Sequence, residues 1–364
     1  MEQINVLSLF DGMSCGQQAL ERSGIKIDNY YASEIDKFAI KVTMSNYPKT
    51  IQLGNVLNVN GDNLPPIYLL IGGSPCQSFS FAGKRKGMAT KCEIEILTLE
   101  YYLELKSEGY QFEGQSYLFW EFMRLLKECK PKYFLLENVE MGDRWERILS
   151  KAIGVNGIHI NSALVSAQNR KRIYWTNIGM QPSGLFGDLE SIIRQPKDKK
   201  IFLRDILETE VDKKYFLSDK MINLLTSRIK NSHSFNSNFI KIDKKGNLKK
   251  DQKKAGCFSA GAHSGGNHSD MDLIVHNTMP RSGDPKKGGT GHLSRNDGKT
   301  YCLDAANSLA VEVTSNIRRL SPIEAERLQT VADDYTNHVS DSQRYKMLGN
   351  GWTVDVIAHI FSYL

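Results

Sequence analysis

A chain of 364 residues that is 40% apolar, 24% charged and 9% aromatic can build one large or two moderate folded domains, and its composition excludes a disordered, fibrous or collagen-like chain. Its apolar runs, such as Tyr68-Leu69-Leu70-Ile71, fall far short of the ~20 residues of a membrane helix, and no secretory signal is visible, so a cytoplasmic location is expected. The net charge of +6 is uneven: Glu190 to Glu312 holds 22 basic against 15 acidic residues and the remainder 25 against 26, so the excess sits in one segment and suits a polyanion.

The first 180 or so residues read as strands alternating with amphipathic helices, the pattern of a mostly parallel sheet covered on both faces. Ile4 to Phe10 is a buried-strand run, and Asp11-Gly12-Met13-Ser14-Cys15-Gly16 is a turn opening a helix through Leu20. Tyr30 to Ser33 is a second strand, ending at Glu34, and Ile67 to Ile71 another, running into Gly72-Gly73-Ser74-Pro75-Cys76. The stretch 88–116 reads as an insertion, partly helical from Glu93 to Leu105, before a helix from Leu118 to Cys129. Tyr133 to Leu136 ends at Glu137-Asn138, and strands at Ser162 to Ser166 and Ile173 to Asn177 flank a polar hairpin with Gln168, Arg170 and Arg172.

From about residue 180 to 316 the chain turns to Lys, Ser, Asn and Gly, with stretches too glycine-rich to be helical, which predicts a smaller loop-rich domain. After Ser321-Pro322, with Glu324 as capping-box partner, a helix runs to Leu328, and an apolar helix follows from Val354 to Leu364. Six cysteines (Cys15, Cys76, Cys92, Cys129, Cys257, Cys302) are scattered without paired spacing, so neither disulfides nor a metal site is expected.

In such sheets ligands collect at the carboxyl ends of the strands, where the glycines and polar residues fall. Asp11, Gly12 and Gly16 followed by Glu34 favour an adenosine-type ligand, although the spacing departs from the dinucleotide glycine pattern. A thiol presented by Pro75-Cys76, a carboxyl at Glu137 and arginines at 170 and 172 form a consistent set for addition to a pyrimidine. Each residue taken singly has a plain structural explanation: a buried thiol, a helix cap, a solvated hairpin.

Taken in order, the blocks resemble the DNA cytosine-5 methyltransferase family: Leu9-Phe10-Asp11-Gly12 with Gly16, Glu34, Gly73-Ser74-Pro75-Cys76-Gln77-Ser78-Phe79-Ser80, Glu137-Asn138-Val139, Gln168-x-Arg170-x-Arg172, Arg319-Leu320-Ser321-Pro322 through Gln329, and Gly349-Asn350-Gly351. The resemblance implies an α/β fold: a Rossmann-like, S-adenosylmethionine-dependent catalytic domain from 1–179 plus 317–364, with a target-recognition domain at 180–316 between its halves. It implies S-adenosylmethionine as cofactor, with S-adenosylhomocysteine as product, held by Phe10, Asp11, Gly12, Gly16, Glu34, Asn55, Pro75, Asn350, Trp352 and Val354. The family usually has Gly-Asp where this chain has Gly54-Asn55, so the acceptor for the adenine amine is an uncharged amide.

The resemblance further implies that Cys76 attacks C6 of a flipped-out cytosine, that Glu137 supports or donates a proton at N3, and that Asn138, Arg170 and Arg172 hold the base or its phosphate and sugar. Gln77, Ser80, Lys84, Arg85 and Gln168 are expected against DNA. Duplex DNA is the expected partner, with a cognate restriction endonuclease as a second, and the enzyme is expected to be monomeric and of prokaryotic or phage type. A member acting on transfer RNA is disfavoured by the absence of that branch's Cys-Phe-Thr signature. The retained Cys76, Glu137 and Arg170 speak against a non-catalytic DNA-binding homologue.

Overall fold

A computed structural model describes residues 3–75, 88–183, 188–216, 275–277, 294–295, 309–313 and 316–364. Its centre is a seven-stranded sheet: β1 Ile4–Leu9, β2 Ile27–Ser33, β3 Ile51–Gln52, β4 Leu69–Gly73, β5 Tyr133–Val139, β6 Ile158–Asn161 and β7 Lys171–Thr176, in the order β3-β2-β1-β4-β5-β7-β6. The first five strands are parallel, and β7 runs antiparallel between β5 and β6. The chain winds outward from β1 to β3 and then crosses back to β4 on the other side of β1. The crevice at the carboxyl ends of β1 and β4 is therefore the switch point where such sheets bind ligands.

Alternation along the strands divides the core in two. Val6, Leu69, Ile71 and Leu135 face a layer that includes helix α1 (Cys15–Arg22), while Leu7, Leu9, Leu70 and Leu136 face the other. That second layer holds α3 (Leu99–Ser107), α4 (Phe119–Cys129) and α5 (Asp143–Ile153); α2 (Lys37–Asn46) follows β2 and is capped by Asp36, which accepts from the Phe38 amide.

After β13 (Asn316–Arg319) come α6 (Pro322–Leu328), α7 (Asp341–Asn350) and α8 (Val354–Phe361). The expected capping box is present: Ser321 Oγ accepts from the Glu324 amide, Glu324 accepts from the Ser321 amide, and Pro322 sits at the first helical turn. α8 packs on α1, where Arg22 pairs with Asp355 and the Ser23 hydroxyl donates to the Ala358 carbonyl. The two ends of the chain thus complete one layer.

Several boundaries differ from expectation. The strand expected at Ser162 to Ser166 lies earlier, at Ile158–Asn161, because Asn161 Oδ1 accepts from the Ala163 and Arg170 amides and turns the chain into a short 3-10 helix at Ser162–Leu164. The helix expected from Glu93 starts at Leu99, capped by Thr98, since Glu93 has φ +65° inside a turn. Residues of the 88–116 stretch, among them Met88, Ile96 and Tyr102, are buried in the second core layer, and the Tyr102 hydroxyl donates to buried Glu121 on α4.

Of the 180–316 segment, the described parts include the β8–β9 hairpin (Met180–Ser183 and Asp188–Ser191) and strands β10 (Val275–Asn277), β11 (Ser294–Arg295) and β12 (Leu309–Val313). The last three form a sheet with β13 (Asn316–Arg319). No helix among the described residues is long and apolar enough to cross a membrane.

Candidate active site

The turn after β1 is built from left-handed residues, with φ +57° at Phe10, +59° at Gly12 and +62° at Ser14. The Gly12 amide donates to Glu34 Oε2 at 2.8 Å, and Glu34 Oε1 accepts from the amides of Ile35 and Asp36 at 2.7 and 2.8 Å. One carboxylate thus fastens the glycine turn to the end of β2. A Cβ at Gly12 would meet nothing within 4 Å, and the same holds at Gly54, φ +71°, so both glycines border open space. Exposed Ile35 follows Glu34 and exposed Leu57 lies three residues after Gly54, and Asn55 Oδ1 accepts from the Leu57 amide at 3.0 Å. Open glycine backbone, a carboxylate at the second strand end and apolar neighbours form a donor set that fits an adenosyl ligand.

Gly16 is a different kind of glycine. It is buried, and a Cβ there would lie 2.4 Å from Ile71 Cδ1 and 2.7 Å from the Tyr30 hydroxyl, so its smallness seats α1 against the sheet. Asp11 also turns inward: Tyr30 donates to its Oδ1 at 2.8 Å, while Oδ2 is buried with no partner among the described residues. Burial pushes its carboxyl up to about 6 against the lowering influence of nearby hydroxyls. Burial likewise pushes the Cys15 thiol up to about 12, which leaves it un-ionised and a poor nucleophile at neutral pH.

At the ends of β4 and β5, Asn138 Nδ2 donates to Ser74 Oγ at 3.0 Å and to the Ser74 carbonyl at 3.3 Å. This anchors the residue before Pro75. Glu137, 8% exposed, is gripped from two sides: Arg172 Nε lies 3.0 Å from Oε1, and Trp352 Nε1 donates to Oε2 at 3.2 Å. Trp352 arrives from the C-terminal loop, so Glu137, Arg172 and Trp352 form one cluster drawn from three parts of the chain.

The other expected residues are placed differently. Gln168 is fully buried, its amide nitrogen donating to the Leu328 carbonyl at 2.6 Å and to Gln329 Oε1 at 2.8 Å, rather than lying on a DNA-facing surface. Arg170, 3% exposed, donates to the carbonyls of Gly349 at 3.2 Å and Gly351 at 2.8 Å, which holds the loop leading to Trp352. Val354 is buried at the start of α8, where its amide donates to the Gln329 carbonyl at 3.0 Å; Asn350 is exposed at the end of α7. Cys76, Gln77, Ser80, Lys84 and Arg85 lie outside the described residues.

Sequence reasoning missed the supporting partners. Arg124 donates to the carbonyls of Val56 and Val59, beside Asn55, and pairs with Glu121 and Glu128. The spacing of Glu121, Arg124 and Glu128 on one helix face was the available signal.

Comparison with known proteins agrees with this geometry. The profile of the C-5 cytosine-specific DNA methylase family matches residues 4–364. The chain belongs to that family. It is accordingly a DNA cytosine-5-methyltransferase. It is 26% identical to the orphan methyltransferase M.SPBetaI of Bacillus phage SPbeta, across 100% of this chain and 98% of the relative. It is 27% identical to the type II methyltransferase M1.ScrFI of Lactococcus lactis subsp. cremoris, across 91% and 70%. Among solved structures, the methyltransferase resembles a putative DNA modification methyltransferase encoded within an E. coli prophage, with TM-score 0.56, 17% identity and coverage of 99% and 98%. It resembles Spodoptera frugiperda DNMT2 equally, with TM-score 0.56, 18% identity and 99% of each chain covered. At these identities the structural likeness establishes the shared α/β fold.

Proposed function

We propose that the enzyme methylates C5 of a flipped-out cytosine within a short sequence of duplex DNA, through a transient bond between Cys76 and C6. The observation that carries this reading is the Glu137 cluster: a buried carboxyl with both oxygens fixed, at the end of the strand beside the one that runs into Pro75-Cys76.

The Cys76 thiolate adds to C6, and the electrons of the C5–C6 double bond move toward N3, which takes a proton from the Glu137 carboxyl. C5 thereby becomes an enamine carbon able to bond a methyl group. S-adenosylmethionine, when bound, supplies that methyl as an electrophile. A water acting as base removes the C5 proton, N3 returns its proton to Glu137, and the sulfur leaves C6 as thiolate. Cys76 is thus regenerated. The base must leave the duplex for its C6 to be reached.

Gly12, Glu34, Gly54 and Asn55 would hold the cofactor at the carboxyl edge of β1 to β3. Asn138 fixes Ser74 two residues before the nucleophile. Residues 1–179 and 317–364 would form the catalytic domain, with 180–316 as the reading domain and its basic excess neutralising phosphates. The phage and type II names of the relatives support a role in phage DNA protection or restriction–modification. In this reading the enzyme works in the cytoplasm of a bacterial host as a monomer, with or without a cognate endonuclease.

Three measurements test this. Bisulfite sequencing of DNA from cells expressing the protein should show 5-methylcytosine at one short sequence. Purified protein should transfer labelled methyl groups to duplex DNA and trap a covalent adduct on 5-fluorocytosine DNA, which Cys76→Ala abolishes. Labelling of transfer RNA alone would overturn the proposal.

A further inference from the structure

Trp352 connects the two halves of the site. The residue is 9% exposed, and its indole N–H reaches Glu137 Oε2 at 3.2 Å, opposite the Arg172 Nε that lies 3.0 Å from Oε1. A carboxylate offers roughly four lone-pair directions, and these two contacts occupy one on each oxygen. They fix the plane of the group and leave a lone pair on each oxygen for a ligand.

The surrounding chain is shaped to allow this contact. A Cβ at Gly73 would stand 2.8 Å from Trp352 Nε1 and 3.2 Å from Glu137 Oε2, so only glycine leaves room for the pair. The loop that carries the ring is held by the Arg170 bonds to Gly349 and Gly351, and the Trp352 backbone N–H lies beside the buried Cys15 sulfur at the start of α1. The indole is therefore aimed from a fixed base.

We propose that Trp352 is a positioning residue for methyl transfer, its indole N–H fixing the plane of the Glu137 carboxyl so that both oxygens meet the edge of the cytosine. This inference rests on the cytosine-5 reading above and deepens it. The N3–H and exocyclic amine of the activated base are spaced like the two oxygens of one carboxylate. A carboxyl turned out of the ring plane meets one donor and loses the other. Without the indole N–H, Arg172 alone among the described residues holds the carboxylate, at one corner, and the rotation is free. The loss then falls on the chemical step and spares cofactor capture.

The test is Trp352→Phe, which keeps an aromatic ring and removes the donor, with benzothienylalanine at position 352 as a closer replacement should the phenyl ring fail to fill the site. S-adenosylhomocysteine affinity should stay within about threefold of wild type, while single-turnover methyl transfer at saturating cofactor and DNA slows by about tenfold or more. In a Glu137→Gln background the same change should cost less than about twofold, because the group it positions no longer acts. An unchanged single-turnover rate, a loss confined to cofactor affinity, or a full tenfold effect persisting beside Glu137→Gln would each overturn the inference and leave the cytosine-5 reading standing. A wild-type protein that methylates no duplex DNA would overturn both.

Discussion

Arg170 Nη2 donates to the Gly351 carbonyl at 2.8 Å, across 181 residues of sequence, tying the entry to β7 to the loop that delivers Trp352. A buried guanidinium placed on backbone carbonyls is hard to replace. Arg170→Ala leaves two carbonyls without this donor and should lower unfolding free energy by about 2–4 kcal/mol. Urea unfolding measures this, and S-adenosylhomocysteine affinity should fall at the same time. A midpoint within error of wild type would mean that the loop holds itself.

Gly73 lies against both members of the Trp352–Glu137 pair, with 2.8 and 3.2 Å left for a Cβ. Gly73→Ala should therefore resemble loss of the indole donor: slow methyl transfer at saturating cofactor, with a stability cost of about 1–3 kcal/mol from overpacking. Rapid-quench single-turnover kinetics would show it. Normal kinetics in that variant would show that the ring can shift without consequence.

Asp11 gives a pH dependence whose sign can be stated. Burial pushes its folded carboxyl up to about 6, against 3.8 for an ordinary aspartate. Between those values the folded state binds more protons than the unfolded state, so stability falls as pH rises from 4 to 6 and stays lower above it. The penalty is roughly 3 kcal/mol at most. Asp11→Asn removes it, so the variant should match wild type near pH 4 and gain on it between pH 5 and 8. Thermal unfolding across that range is the check, and a constant difference would assign the shift to something other than Asp11.

Asn55 has its oxygen on the Leu57 amide, which leaves the amide nitrogen as its second branch. An aspartate could keep the same cap with one oxygen and present the other as a charged acceptor to an exocyclic amine. Asn55→Asp should tighten S-adenosylhomocysteine binding by about threefold to tenfold, and Asn55→Ala should weaken it. Titration calorimetry with the adenine nucleoside and its deaminated inosine counterpart locates the effect: the gain in Asn55→Asp should vanish with the inosine form, which lacks the amine.

How much of this was legible in the sequence depends on distance along the chain. The strand run at β1, the capping box at Ser321 and Glu324, and the glycine turn after β1 depend on neighbours a few residues away and stand within a residue of expectation, whereas the strand expected at Ile67 to Ile71 lies at Leu69–Gly73. Gln168 and Arg170 show the opposite case. Their types and spacing marked them as polar hairpin residues, yet their partners, Leu328, Gln329, Gly349 and Gly351, lie 160 residues or more downstream. A pattern of side chains does not reveal which polar group will be buried against a distant carbonyl. The same holds for Trp352, whose place in a motif gave no sign that its N–H would reach Glu137.

The packing of α8 on α1 also has a kinetic meaning. Arg22 meets Asp355 across 333 residues, and Tyr335 meets the Met13 carbonyl across 322. Closing a loop of that length costs roughly 5 kcal/mol in chain entropy before any contact repays it. One face of the sheet must wait for this closure, so folding should be slow and its last event the sealing of the seam between α1 and α8. A ligand that touches both the glycine turn and the Trp352 loop bridges that seam, and should slow unfolding far more than it speeds folding.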